Sequence, residues 1–533
     1  MASTLPKLPI FEAIASHDPH STAVIHSLSG RRFQYGELLG DVRRTRDELQ
    51  AAAGKPVLDG ERIAFLVENS YDYVVTLLAA LATRSIAVPL SPAFPAAELQ
   101  YILNQSEASL LVSSPKFFAK ARDVLATELA SKPAQLELQK HMGGAAHEAV
   151  QLEGSDPGDA GMMLYTSGTT NRPSVLTAQS KSLIEAWEYT PLDHLLHVLP
   201  LHHIHGTINA LLTPLFAGST IEFLFPFNPD AVWNRLAAPF TNASTSPAKE
   251  KVTFFTVVPT VYSRLLSSHK SLPEAFVEPT REAVSPQNMR LAISGSAALP
   301  TPVKEAWRRL FARQTSYSSA RLVDTDTGAV IPRGDRVDAE GANAPAKSQL
   351  RGPTIFKEYW RNPTRHPPKE FATDPDGRGP WFKTGDVAVR RAVEGAGGGA
   401  ADQPWAKGDM YFIQGRQSAD IIKTGGEKVS ALEVERELLT LDVVAEAAVV
   451  AVPSGKWGQK VGAVVILDNE ALPEGKTWSP MDMRRALRGR LANYKIPQVL
   501  KVVDHIPRNA MGKINKKELV KEVFADQFSD DEV

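Results

Sequence analysis

Residues 165–177 read YTSGTTNRPSVLT. Thr166, Ser167, Gly168, Thr169 and Thr170 set small and hydroxyl residues in succession, a composition that can turn backbone N–H groups and hydroxyls toward one anion. Phosphate is the anion such a concavity suits. The G-x-x-x-x-G-K-[ST] spacing of a Walker A loop is absent, and a polar surface turn is the alternative. Four other places carry chemistry-bearing residues. Lys513 lies in RNAMGKINK, a glycine-containing loop where a compact ammonium can offset charge building on an anion, although Arg508, Lys516 and Lys517 also make this a basic surface stretch. His202, His203 and His205 crowd PLHHIHG, with no acidic or thiol ligand beside them to complete a metal site. Arg290 opens RLAISGSAAL, where a guanidinium can grip a carboxylate through two N–H bonds or form a surface ion pair. Asp386 follows glycine in WFKTGD and offers two acceptor oxygens.

These residues need strand ends and loops to hold them. Residues 63–67, 71–82 and 85–89 alternate a β-rich run, a helical run and a second β-rich run, which predicts a βαβ unit. The same grammar recurs around LLHVLPLHHIHGTINALL, KVTFFTVVPTVYSRLL and MRLAISGSAALPTPVKEAWRRLF. Such folds place ligands in the loops after the strands. Residues 239–251, 333–349 and 394–409 are rich in Gly, Ala, Pro, Ser and Asn and read as surface loops. After Arg416 the pattern changes to a compact α+β unit of roughly 115 residues, with one helix opened by Ser479 and Pro480. The predicted division is therefore 1–415 and 416–533.

Bulk properties narrow the class. At 533 residues the chain exceeds what a single core organises. Its net charge of -1 gives no electrostatic case for nucleic acid or an anionic membrane. The absence of cysteine excludes disulfides, thiolate zinc sites and a cysteine nucleophile. No apolar stretch reaches eighteen residues, so a cytoplasmic protein with no transmembrane segment is expected, with a mitochondrial location as the alternative.

YTSGTTNRP, PLHHIHG, SGSAALP, RGPTIFKEYWRNP, WFKTGD, GRQSADIIKTGGEKVSALEVE and IPRNAMGKINKKEL occur in one order along the chain. That order resembles the adenylate-forming superfamily of acyl-CoA synthetases, luciferases and peptide-synthetase adenylation domains, and the wording is most similar to malonyl-CoA synthetases. The resemblance implies a large N-terminal α/β domain with mixed sheets and a small mobile α+β C-terminal domain, with a hinge near 416–420. It implies two half-reactions, in which a small carboxylic acid and ATP give an acyl-adenylate and coenzyme A then gives the thioester, with Mg²⁺ as cofactor. By resemblance Lys513 is the catalytic lysine of adenylation. Thr166, Ser167, Gly168, Thr169 and Thr170 take the phosphates, Gly295, Ser296 and Ala297 line the adenine, Asp386 accepts the ribose hydroxyls, and Arg416 approaches the nucleotide. His205 and Arg290 fall to the acyl group, and Gly425 and Gly426 to the pantetheine arm of coenzyme A. No carrier motif follows Lys513, so free coenzyme A is the expected thiol, and fatty acid metabolism the expected setting.

Two departures bear on activity. The phosphate loop continues Arg172, Pro173, Ser174, Val175 where the family has Arg-Pro-Lys-Gly, and Asn171 replaces a glycine. After SGSAALPTPVKEAWRRLFARQ the family carries a Tyr-Gly-x-Thr-Glu motif whose Glu holds magnesium. Here TSYSSA (315–320) runs into RLVDTDTGAVIP, leaving a gap of roughly thirty residues against the family spacing. Three readings are open on sequence: a ligase of slow turnover, a non-catalytic remnant that binds nucleotide or a partner, or a misplaced intron boundary in an otherwise intact enzyme. Within the ligase reading, a medium-chain or aromatic acid is the alternative to malonate.

Overall fold

The computed structural model describes residues 4–144, 146–154, 158, 160–165, 169–171, 173–296, 303, 306–307, 320–323, 330–331, 346–352, 355, 371–372, 380–391, 410–454, 458–468, 471–472, 478–508 and 514–525. Its chain divides into two compact units. Among the described residues no helix is long and apolar enough to cross a membrane.

In the first unit, built on Met1–Leu299, the βαβ expectation is met by the Arg62–Leu66 strand, the Tyr71–Ala82 helix and the Ile86–Pro89 strand. They belong to a six-stranded sheet ordered Thr169–Asn171, Gly161–Leu164, Ile86–Pro89, Arg62–Leu66, Leu110–Ser113, Ala134–Glu137. All its pairings are parallel except that between Thr169–Asn171 and Gly161–Leu164. A second sheet runs Leu291–Ser294, Phe254–Val257, His194–His197, Thr220–Phe223, Thr22–His26, Arg32–Gln34, antiparallel only at its last pair. All twelve residues of Tyr71–Ala82 are buried, because the helix touches strands of both sheets as well as the Tyr35–Ala53 helix. A sequence apolar on nearly every side, YDYVVTLLAALA, suits such a position, and its two polar members are satisfied, Asp72 by His141 and Thr76 by the Asp72 carbonyl. Tyr35–Ala53 starts with a reciprocal capping box between Gln34 and Glu37 and ends at Gly54 in the left-handed region.

The second unit, which includes Pro368–Val533 and Ser318–Arg351, contains an antiparallel sheet and a five-stranded one. In the first of these Trp381–Arg391 lies between Ala346–Leu350 and Met410–Arg416, and it also pairs Phe371–Ala372. The five-stranded sheet runs Glu427–Ser430, Ile421–Thr424, Gly458–Leu467, Val444–Ser454, with Val499–Val502 parallel to Gly458–Leu467. Alternation along its long strands feeds two small cores. Val434, Leu438, Met483 and Leu487 from the Ala431–Leu438 and Pro480–Leu487 helices fill one. Leu519, Val520 and Phe524 close the other. Ser479 and Asp482 form a capping box at the expected helix start, with Pro480 in the first turn. The chain passes from one sheet to the next at 416–421. The compact unit takes in the sheet around Trp381–Arg391 together with the segment after 416.

Candidate active site

The histidine loop of the first unit turns back beside two strand ends. Gly295 and Ser296 follow Leu291–Ser294, and Thr256 sits in the neighbouring Phe254–Val257 strand. His205 begins a widened helical segment, His205–Leu212, whose i→i+5 pattern is rare outside functional sites. Its Nε2 lies 2.7 Å from Thr256 Oγ1 and its Nδ1 3.2 Å from Ser296 Oγ. One ring nitrogen donates and the other accepts, so the pair of hydroxyls suits a neutral imidazole. Burial, helped by the nearby His203, lowers the His205 pKa to about 4. The floor under the ring is Gly295: an added Cβ would stand 2.9 Å from His205 Cε1. Ser296 holds φ at +65°, a left-handed backbone that costs a non-glycine residue roughly 1–2 kcal/mol and is concentrated at ligand sites. The ring is buried and neutral between Thr256 and Gly295, with Ser296 exposed at its edge.

In the second unit Asp386 and Arg416 are direct cross-strand neighbours. Arg416 Nε lies 3.2 Å from Asp386 Oδ1. Burial raises the Asp386 pKa against the pull of Arg416, while the guanidinium itself is exposed. Asp386 also has its backbone N–H tied to Thr384 Oγ1 at 3.0 Å, and Gln417 N–H donates to the Gly385 carbonyl at 3.0 Å. A half-buried carboxylate beside an exposed guanidinium can accept two vicinal hydroxyls while the cation faces an anion. Gly425 and Gly426 join Ile421–Thr424 to Glu427–Ser430 as a two-residue hairpin, with φ of +58° and +88°. Two successive positive φ values define a I′ turn, which explains the glycine pair. An added Cβ on Gly426 would meet nothing within 4 Å.

Several expected site residues lie elsewhere. Thr169 and Thr170 are on the strand that pairs antiparallel with Gly161–Leu164, and the Pro173–Trp187 helix comes after it in the chain. Thr166, Ser167, Gly168, Ala297 and Lys513 lie outside the described residues. Arg290 makes an ion pair. Its guanidinium is held by both Asp193 oxygens, at 3.1 and 2.9 Å, and by the Trp187 carbonyl at 2.8 Å. It also precedes the Leu291–Ser294 strand, whereas Gly295 and Ser296 follow it. A strand of that length separates the two ends by roughly 16 Å. The ion-pair alternative is the one realised, and Arg290 does not join the His205 cluster. His202 packs edge-on against Phe94 with its pKa lowered by burial to about 3, and among the described residues no three His, Cys, Asp or Glu side chains gather as a metal site. Thr256 was not singled out in the sequence; a lone hydroxyl within the apolar run FFTVV was its one signal.

The class of the protein is given by two family models that together span most of the chain. The AMP-binding enzyme family model matches residues 11–319, and that of the AMP-binding enzyme C-terminal domain matches 433–513. The chain belongs to this family, the AMP-forming acid–CoA ligases. A CoA ligase of Gibberella moniliformis is 48% identical over 587 aligned positions, covering 99% of this chain and 96% of that protein. The alignment exceeds the 533 residues here by 54 positions, so at least that many find no counterpart in this chain. The mitochondrial malonate–CoA ligase of Mus musculus is 36% identical, with 88% of this chain and 82% of that one covered. The crystal structure of ATP-bound MatB from Rhodopseudomonas palustris is 27% identical, with a TM-score of 0.75 and coverage of 98% and 99%.

Proposed function

We propose that the chain is an ATP-dependent ligase of the malonate-activating line, in which adenylation is slowed by the missing motif. The likeness to malonate–CoA ligases over most of the chain carries the acid assignment. In the first half-reaction a carboxylate oxygen attacks the α-phosphorus, the bond to the β-phosphate breaks and pyrophosphate leaves. In the second, the coenzyme A sulfur loses its proton and attacks the acyl carbon, and AMP leaves with the electron pair of the broken C–O bond.

Each retained residue has a part in this scheme. Neutral His205, fixed by Thr256 and Ser296, borders the acid without adding a positive charge. Gly295 and Ser296 keep the strand end narrow for the base. Asp386 accepts the ribose hydroxyls and Arg416 faces the phosphate side. Lys513 offsets charge at the α-phosphate, and Gly425 and Gly426 leave room for pantetheine. Magnesium would neutralise the polyphosphate when bound. The glutamate that holds it in the family is absent from the sequence, and the described residues offer no acidic cluster in its place, so none of these steps is routed through the metal.

The engagement of Arg290 with Asp193 favours a second reading, in which the acid has a single carboxylate. Acid-dependent exchange of labelled pyrophosphate into ATP separates the two, run with malonate, octanoate and benzoate. We expect malonate to be preferred by at least about tenfold, which corresponds to roughly 1.4 kcal/mol. Preference for octanoate or benzoate would overturn the malonate assignment.

A further inference from the structure

Lys516 is a lysine with little access to water. It opens the Lys516–Val523 helix, and its side chain is 13% exposed. Its Nζ lies 2.6 Å from Asp420 Oδ1 and 2.8 Å from Glu435 Oε1. Glu435 Oε1 also accepts the Val449 N–H at 2.8 Å, which fixes that carboxylate against the five-stranded sheet. Asp420 faces the other way as well. Its Oδ2 accepts the Arg416 N–H at 3.0 Å, and its own N–H donates to the Arg416 carbonyl at 2.8 Å. The turn between the two sheets is therefore closed by a side chain that arrives from a helix 96 residues further along.

The charges explain why this lysine is needed. Asp420 and Glu435 converge on one point, and two carboxylates so placed repel unless a cation stands between them. An ammonium is compact enough to bridge both, and it retains its proton because the two anions outweigh the cost of burial. If the cation is removed, Asp420 is pushed away from Glu435, and the Arg416 N–H loses its acceptor. Arg416 is the residue whose guanidinium meets Asp386.

We infer that Lys516 is a positioning residue: through Asp420 it sets the turn at 416–420 and so holds Arg416 toward Asp386. The step from that turn to catalysis rests on the proposed role of Asp386 and Arg416 in binding nucleotide. Lys516 touches no reacting group and acts through the turn.

The full chain is tested by calorimetry with ATP and by amide hydrogen exchange, comparing Lys516→Met, Asp420→Asn, Arg416→Ala and the double variant Lys516→Met/Arg416→Ala. Lys516→Met should weaken ATP binding about tenfold and speed exchange of the Arg416 amide at least tenfold. Asp420→Asn keeps an acceptor for that amide while removing the charge facing Lys516, and should reproduce part of both effects if Lys516→Met folds poorly. The double variant should bind ATP no more weakly than Arg416→Ala alone, because both changes remove one interaction. Additive losses, or a lowered melting temperature with Arg416 exchange unchanged, would overturn the inference. If Arg416→Ala leaves ATP affinity intact while Lys516→Met still frees the Arg416 amide, the nucleotide role of Arg416 fails and the control of the turn stands.

Discussion

The strand-end cluster around His205 and the turn around Asp420 solve the same problem by opposite means. Both must hold a side chain in one orientation. His205 is fixed by two hydroxyls and by contact with a glycine, with no charge nearby required. Arg416 is held by its guanidinium on Asp386 and by its backbone N–H on Asp420, whose charge is in turn met by Lys516 between it and Glu435. A site made by fit has one geometry and breaks when volume changes. Charge pairing offers a few alternatives of similar energy, which is the property a turn between two sheets needs if it is to adopt more than one setting. The first region is built by fit and the second by charge.

The comparison is broken most severely by adding one carbon to the fitted site. Gly295→Ala puts a Cβ 2.9 Å from His205 Cε1, so the ring must leave one or both hydroxyl partners. We expect at least a tenfold loss of acid-dependent pyrophosphate exchange, with the Asp386–Arg416 side untouched. Exchange equal to that of the parent chain would show that the fit under His205 does not matter.

A smaller effect sharpens the contrast through pH. Burial, the first cause in each case, lowers the pKa of His26, His197 and His205 to about 4 and of His202 to about 3. A histidine whose folded pKa lies below the unfolded 6.5 contributes stability above pH 6.5, and that stability is lost as pH falls toward the folded value. His141 works in the opposite sense, because Asp72 and Asp41 raise its pKa against the cost of burial, so its contribution is greatest in acid. His269 is lowered too, by burial and by Arg281, so with five histidines against one, urea unfolding of the chain should show stability falling between pH 7 and pH 5, by on the order of 1–2 kcal/mol for each of the deeply buried histidines that is unopposed. A flat profile over that window would contradict neutral packing of the histidine loop.

Much of this was legible in the sequence, and the failures have physical causes. The βαβ run at 62–89 was legible because helix and strand periods differ and each apolar run has a buried face to match. Asp386 and Arg416 were named separately from motifs thirty positions apart, and they prove to be cross-strand partners. Arg290 opens its strand as the sequence indicates, but Asp193, which takes its guanidinium, is 97 residues away in sequence and gives no sign there of being its partner. Thr256 escaped because one hydroxyl in an apolar strand looks like any tolerated threonine; only its partner His205 gives it meaning. Lys516 was set aside as part of a basic surface stretch. Linear sequence shows its charge but not the two carboxylates that bury it.

The proposed slowing of adenylation by the missing segment separates this chain from an intact ligase. It is tested most directly by malonate-dependent exchange of labelled pyrophosphate into ATP, measured in parallel with the Mus musculus malonate–CoA ligase at saturating Mg²⁺. The account predicts exchange that depends on malonate and on Lys513 but runs at least about a hundredfold slower than in the relative, the scale of losing a transition-state contact. Exchange at the rate of the relative would contradict it.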